Sequence, residues 1–129
     1  MMLNNKGQTL VIFVIFIPLF IGMMSLVFDI GNVIYEHSEV ESINKIIIDY
    51  GLDNMDDNNV IEEMRELAVI NKKNINTNIK FNDMEFLVES TYYVKGVFSN
   101  IFRTKGYLVK SRYKGYIDSN NKKRLVKLK

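Results

Sequence analysis

The chain has 129 residues, enough for one domain, and its 25% charged and 47% hydrophobic content is that of a folded protein rather than a disordered one. It has no cysteine and one histidine, His37, which excludes disulfides, thiolate zinc sites, iron–sulfur clusters and histidine-based metal clusters. The net charge of +2 hides a segregation: Asp29–Glu89 holds 14 acidic and 5 basic residues, whereas Arg103–Lys129 holds 10 basic residues and a single acid, Asp118.

From Gln8 to Phe28 there is no Asp, Glu, Lys or Arg, and 14 of the 19 residues from Leu10 to Phe28 are Leu, Ile, Val or Phe. As a helix this run spans roughly 28 Å, close to the hydrocarbon thickness of a bilayer. A soluble core helix is disfavoured, because about 100 remaining residues cannot surround a helix that is apolar on every side. A cleaved secretory signal needs a shorter apolar run and an alanine-type site, and the only alanine is Ala68. The run is therefore expected to be an uncleaved transmembrane helix over residues 9–30. Lys6 precedes it and Asp29, Glu36, Glu39 and Glu41 follow it, so the positive-inside rule puts residues 1–8 in the cytoplasm and the rest outside. Pro18 removes one helix hydrogen bond in mid-span and predicts a kink. Gly22 and Ser25 are small enough to admit a neighbouring helix, although no GxxxG is present.

Helical spacing continues through Ile34, Val40, Ile43, Ile47 and Tyr50 and stops at the Asp/Asn-rich stretch 51–59. That stretch lacks the alternate-position ligands of a calcium loop and reads as the entry to a second helix. Its cap is Asn58 or Asn59, with Glu62 and Glu63 in the first turn. The second helix is expected from Val60 to Asn71, with Ile61, Met64, Leu67, Ala68 and Ile70 on its apolar side. Period-two alternation then predicts three strands. Ile75, Thr77, Ile79 and Phe81 share a face of the first. Met84, Phe86, Val88, Ser90, Tyr92 and Val94 share a face of the second, and Tyr107, Val109, Tyr113 and Ile117 a face of the third, Gly106 to Ile117. A short helical turn over 96–102 joins the last two. Glu85 and Glu89 are expected to face Lys114 and Lys110 across an antiparallel pair. The fold class is thus α+β: a long N-terminal helix leading into a head at 31–121, followed by a basic tail at 122–129.

The first fifty residues resemble a known family. Lys6-Gly7-Gln8 ends a short polar leader, Pro18 follows eleven residues after that glycine, and Asp29-Ile30-Gly31 then Tyr35 close the apolar helix. Val40-Glu41-Ser42 stands where the family often has Leu-Gln-Asn. This combination resembles the TadE/TadG-like minor pilins, or pseudopilins, of bacterial tight-adherence (Flp) pilus systems, over about residues 6–51. The resemblance implies a pilin-like head and a structural role. It also implies packing against other pilus subunits or assembly-platform proteins through Pro18, Gly22, Asp29 and Gly31, with Asp29 available to a basic group on a neighbour. Processing after Gly7, leaving Gln8 as the N-terminus, and retention as a permanent anchor both fit the family. The glutamate that family members carry five residues after the cleavage point is Ile12 here, which favours the anchor.

Catalysis fails on inventory. Ser38 adjoins His37 but points elsewhere on a helix, no glycine-rich phosphate loop or other cofactor motif exists, and the adjacent carboxylates read as solvated charge. The tail cations Lys122, Lys123, Arg124, Lys127 and Lys129 are expected to meet an anionic partner: lipid headgroups, cell-wall polymer or the acidic helix of a neighbouring copy. Nucleic acid is disfavoured by the expected location outside the cell, despite aromatic and basic residues interleaved through 107–116. The second reading of function is accordingly an anchored module that binds anionic ligands through this tail, and a holin-like pore is a distant third.

Overall fold

The computed structural model describes residues 2–101 and 103–129, with side chains from Lys6 onward. The elements in chain order are α1 (Met2–Asp53), α2 (Val60–Asn71), β1 (Asn76–Asn82), β2 (Glu85–Val94), α3 (Val97–Ile101), β3 (Tyr107–Ile117) and β4 (Lys123–Leu128). The strands form one antiparallel meander in the order β1-β2-β3-β4. The fold class is α+β, as the periodicities predict, with the expected second helix at its expected bounds.

α1 is a single helix of 52 residues, roughly 78 Å long, and runs unbroken through Pro18. Its two halves differ in what covers them. Over Leu10–Phe28 the large apolar side chains are between 42% and 72% exposed, so this stretch is not the core helix of the head. Beyond it, Val40, Ile43, Ile47, Ile48 and Leu52 are buried at helical spacing against the inner face of the sheet. That face consists of Ile79 of β1, Phe86, Val88 and Val94 of β2, and Val109 and Tyr113 of β3. Gly115 of β3 sits where a Cβ would collide with the Ile48 side chain, which lets strand and helix approach closely. α2 closes the far end of α1 with Val60, Met64 and Ala68 buried.

A polar pin crosses this apolar core. The Asn44 side chain, fully buried on α1, donates through Nδ2 to the Ser111 carbonyl of β3 at 3.1 Å and accepts from the Ser90 hydroxyl of β2. Thr77 Oγ1 of β1 lies 3.3 Å from Ser90 Oγ. One amide thus links the helix to two strands, Ser90 carries the connection on to a third, and no shift of register keeps the amide satisfied.

Several expectations are corrected. The sheet has four strands rather than three: the tail, expected to stand apart as 122–129, supplies β4 at the sheet edge, paired with Arg112–Ile117. Met84 is not on the second strand. It sits with Asp83 in a two-residue hairpin turn, both at positive φ (62° and 52°), where the twist of the strands requires left-handed backbone. Ile34 and Ile70 are 65% and 80% exposed, whereas Val60 joins the core. Asn59 precedes α2 without a side-chain cap; its N–H instead donates to Asp57 Oδ1 at 2.9 Å. Phe102, the last residue of the expected turn, lies outside the described residues, as does Met1 of the leader.

The charge segregation resolves as pairing within the chain. Lys114 meets Glu85 at 3.1 Å and Lys110 meets Glu89 at 3.5 Å, the expected cross-strand pairs, with Arg112 Nε also 3.3 Å from Glu89. These pairs are half-exposed and set register more than stability.

Candidate functional site

The feature with the clearest capacity for interaction is the bare half of α1 and the point where it enters the head. Gln8 is exposed, and a Cβ at Gly7, Gly22 or Gly31 would meet nothing within 4 Å. Pro18 is exposed on the same helix. Ser25 returns its hydroxyl to the Ile21 carbonyl at 2.7 Å, which satisfies it without a partner from outside. Gly7, Gln8, Pro18, Gly22 and Gly31 therefore face open space, and nothing within the chain dictates their size, whereas Ser25 is buried.

Asp29 is the exception. It stands one residue past the apolar run and is 2% exposed. Its Oδ1 accepts from the Val97 N–H at 2.7 Å, and its Oδ2 accepts from the Phe98 N–H at 2.8 Å and from the Tyr107 hydroxyl at 3.0 Å. The carboxylate thus closes the start of α3 and the start of β3 onto α1. Burial together with the Asp29 carboxylate pushes the Tyr107 hydroxyl above its ordinary pKa, so it stays a donor. Gly96 makes the approach possible: a Cβ there would overlap the Asp29 carboxylate. Ser99 tightens the same turn by accepting from the Gly96 N–H at 2.7 Å. The expected use of Asp29, pairing with a neighbour's cation, is replaced by an intramolecular lock. The sequence does not mark Gly96 or Tyr107 as partners of Asp29; its one signal is a lone carboxylate bordering an apolar run with no nearby cation.

Beside this lock lies a cleft of about 600 Å³ lined by Val27, Phe28, Asn32, Lys95, Val97 and Asn100. Its walls come from the last turn of the apolar run and from α3.

The basic tail is largely occupied by the chain itself. Lys123 Nζ lies 2.9 Å from Asp49 and 2.6 Å from Asp53, Lys127 pairs with Glu41, and Arg124 Nε lies 2.8 Å from Asp118. Lys123 and Lys127 thus meet acids of α1 in the same molecule rather than on a neighbouring copy. Lys122 and Lys129 make no side-chain ion pair among the described residues, although Arg112 donates to the Lys129 carbonyl at 3.0 Å. Elsewhere Lys72 reaches across from the end of α2 to Glu36 and, at 3.1 Å, to Glu39, with its ammonium 4.3 Å from the Tyr92 ring centroid. Burial opposes its charge, but the two carboxylates outweigh burial and raise its pKa. His37 Nδ1 lies 3.4 Å from Glu41. Among the described residues no three His, Asp or Glu side chains converge as a metal site would require.

No protein-family model, no curated protein and no solved structure matches this chain. Among the described residues one helix, Lys6–Asp53, is long and apolar enough to cross a membrane.

Proposed function

We propose that this chain is a membrane-anchored structural subunit of the minor pilin or pseudopilin kind, belonging to a bacterial Flp-type or related pilus assembly system. The apolar half of α1 spans the cell membrane with residues 1–8 in the cytoplasm. The α+β head stands outside. The observation that carries the reading is the division of one continuous helix: the N-terminal half is apolar and bare, and the C-terminal half is the spine of an antiparallel sheet. A helix so built must find its cover in lipid or in other helices. The bare surface at Pro18, Gly22 and Gly31 is where a second helix from another subunit or a platform protein would approach.

Support for the tail-binding alternative is weaker, because Lys123, Arg124 and Lys127 are already paired within the head. Two experiments separate the readings. Replacing residues 9–28 with an unrelated apolar span should abolish assembly function in the structural reading and leave it intact in the tail-binding one. Intact mass and N-terminal sequence, taken from native membranes and from sheared surface material, then divide the structural role. A chain starting at Gln8 in the sheared fraction makes it a fibre component; one starting at Met1 in the membrane makes it a resident assembly factor.

A further inference from the structure

Between Glu89 and Asp118 the chain has no acidic residue and six cations. Folding divides them. Lys110, Arg112 and Lys114 lie along β3 and meet Glu85 and Glu89. Lys95, Arg103 and Lys105, which flank α3, are all exposed and form no ion pair among the described residues. The three of these six that stay without an ion pair are therefore gathered at one end of the sheet, the end where β2 finishes and β3 begins.

That end is fixed relative to the apolar run. The Val97 and Phe98 amides are held by Asp29, one residue beyond Phe28. A helix rises about 1.5 Å per residue, so whatever sets the depth of Phe28 in a membrane sets the depth of α3. On α3 itself, Val97 and Ile101 stand one helical turn apart and are 53% and 64% exposed. Exposed aliphatic side chains flanked by unpaired cations are what a segment at the boundary between headgroups and acyl chains presents. The tail differs. Lys127 meets Glu41, twelve residues past Asp29, which is roughly 18 Å farther along the helix and beyond the ~8 Å screening length of physiological salt.

We propose that Lys95–Ile101, with Arg103 and Lys105, forms a foot that rests on the outer face of the membrane. Val97 and Ile101 enter the interface, and Lys95, Arg103 and Lys105 bind anionic phospholipid headgroups. This rests on the reading of α1 as a membrane span. The head is then held at two points, the helix and the foot, and the Asp29 lock joins them, so the foot sets how the head leans from the bilayer.

The cysteine-free chain makes the test direct. A nitroxide is placed on the full chain at Phe20→Cys, Ile101→Cys or Asn58→Cys in separate samples. Each is set in nanodiscs of phosphatidylcholine, alone or mixed with phosphatidylglycerol. Collisions with oxygen and with a water-soluble nickel chelate report depth. The label at 20 should favour oxygen strongly, the label at 58 should favour nickel, and the label at 101 should favour oxygen and shift deeper when phosphatidylglycerol is present. Adding Lys95→Gln, Arg103→Gln and Lys105→Gln should abolish that shift, since each basic residue at an anionic surface contributes about a fivefold gain in binding. The phosphatidylglycerol that co-purifies with the unlabelled full chain should fall in the same triple variant. A label at 101 as water-exposed as that at 58 in both lipids, with 20 still in hydrocarbon, overturns the foot and spares the span. A label at 20 exposed to water overturns the span, and the foot with it.

Discussion

Asn44 offers the sharpest test of how the head is specified. It is fully buried on α1, donating to the Ser111 carbonyl and accepting from Ser90. Asn44→Ala removes both hydrogen bonds and leaves Thr77 as the remaining side-chain partner of Ser90. Each stranded buried polar group costs about 1–3 kcal/mol, and the missing amide volume adds a cavity contribution. The expected loss is roughly 2–4 kcal/mol, a fall in Tm on the order of 10–20 °C for a head of this size. Asn44→Asp probes the donor separately. Its carboxylate would point an anionic oxygen at the Ser111 carbonyl in a dry site, so its folded-state pKa must rise. That variant is therefore weakest at neutral pH and recovers toward the native protein as pH falls and the acid becomes a donor. Urea unfolding of the full chain in detergent, followed by circular dichroism, measures both. An Ala variant within about 0.5 kcal/mol of native, with an Asp variant whose deficit does not change with pH, would refute the pin.

Gly96→Ala sets a Cβ against the Asp29 carboxylate and should cost about 1–3 kcal/mol by overpacking; hydrogen exchange should show the Val97 and Phe98 amides losing protection while Val88 keeps its own. Met84→Gly relieves left-handed backbone at an exposed turn and should stabilise by about 1 kcal/mol, read as a rise in the urea midpoint. Lys72 has its pKa raised by Glu36 and Glu39, so its contribution is complete below the ordinary value of 10.5 and fades as pH rises through the higher folded value. The stability gap between native and Lys72→Met should follow that course in an alkaline titration. Asp118 behaves oppositely: Arg124 and the Lys122 N–H hold its pKa below the ordinary 3.8, so its contribution is present above 3.8 and lost as pH falls through the lower folded value. Asp118→Asn should be weaker than native at neutral pH and converge with it in acid.

Much of this architecture is written locally. Uninterrupted apolarity over Leu10–Phe28 marks a helix that the head leaves bare, and alternation at Ile75–Phe81 and Phe86–Val94 gives both strands and their buried faces. Glu85 and Glu89 opposite a basic strand give the pairing partner. What escapes depends on contacts distant in the chain. β4 has no alternation, because Leu125 and Val126 are adjacent in a lysine-rich edge strand, and its cations find acids 70 or more residues earlier at Asp49 and Asp53. Asn44 reads as a polar interruption of an apolar stripe, and its value appears only when Ser90 and Ser111 arrive across the sheet. Asp29 looks like a free exit charge until α3, 68 residues later, folds back onto it. A Cβ at Gly7, Gly22 or Gly31 would meet open space, and Gln8 and Pro18 are exposed, so no contact within the chain accounts for these five.

The central claim is that α1 spans the membrane once and holds the head outside the cell. Because the chain has no cysteine, Asn58→Cys at the far turn of the head and Asn5→Cys before the apolar run give unique handles. A membrane-impermeant maleimide applied to intact cells lacking outer barriers should label position 58 at once and position 5 only after permeabilisation, with both chains in the membrane fraction. Labelling of position 5 but not 58 on intact cells would reverse the topology, and recovery of the full chain in the soluble fraction would contradict the account outright.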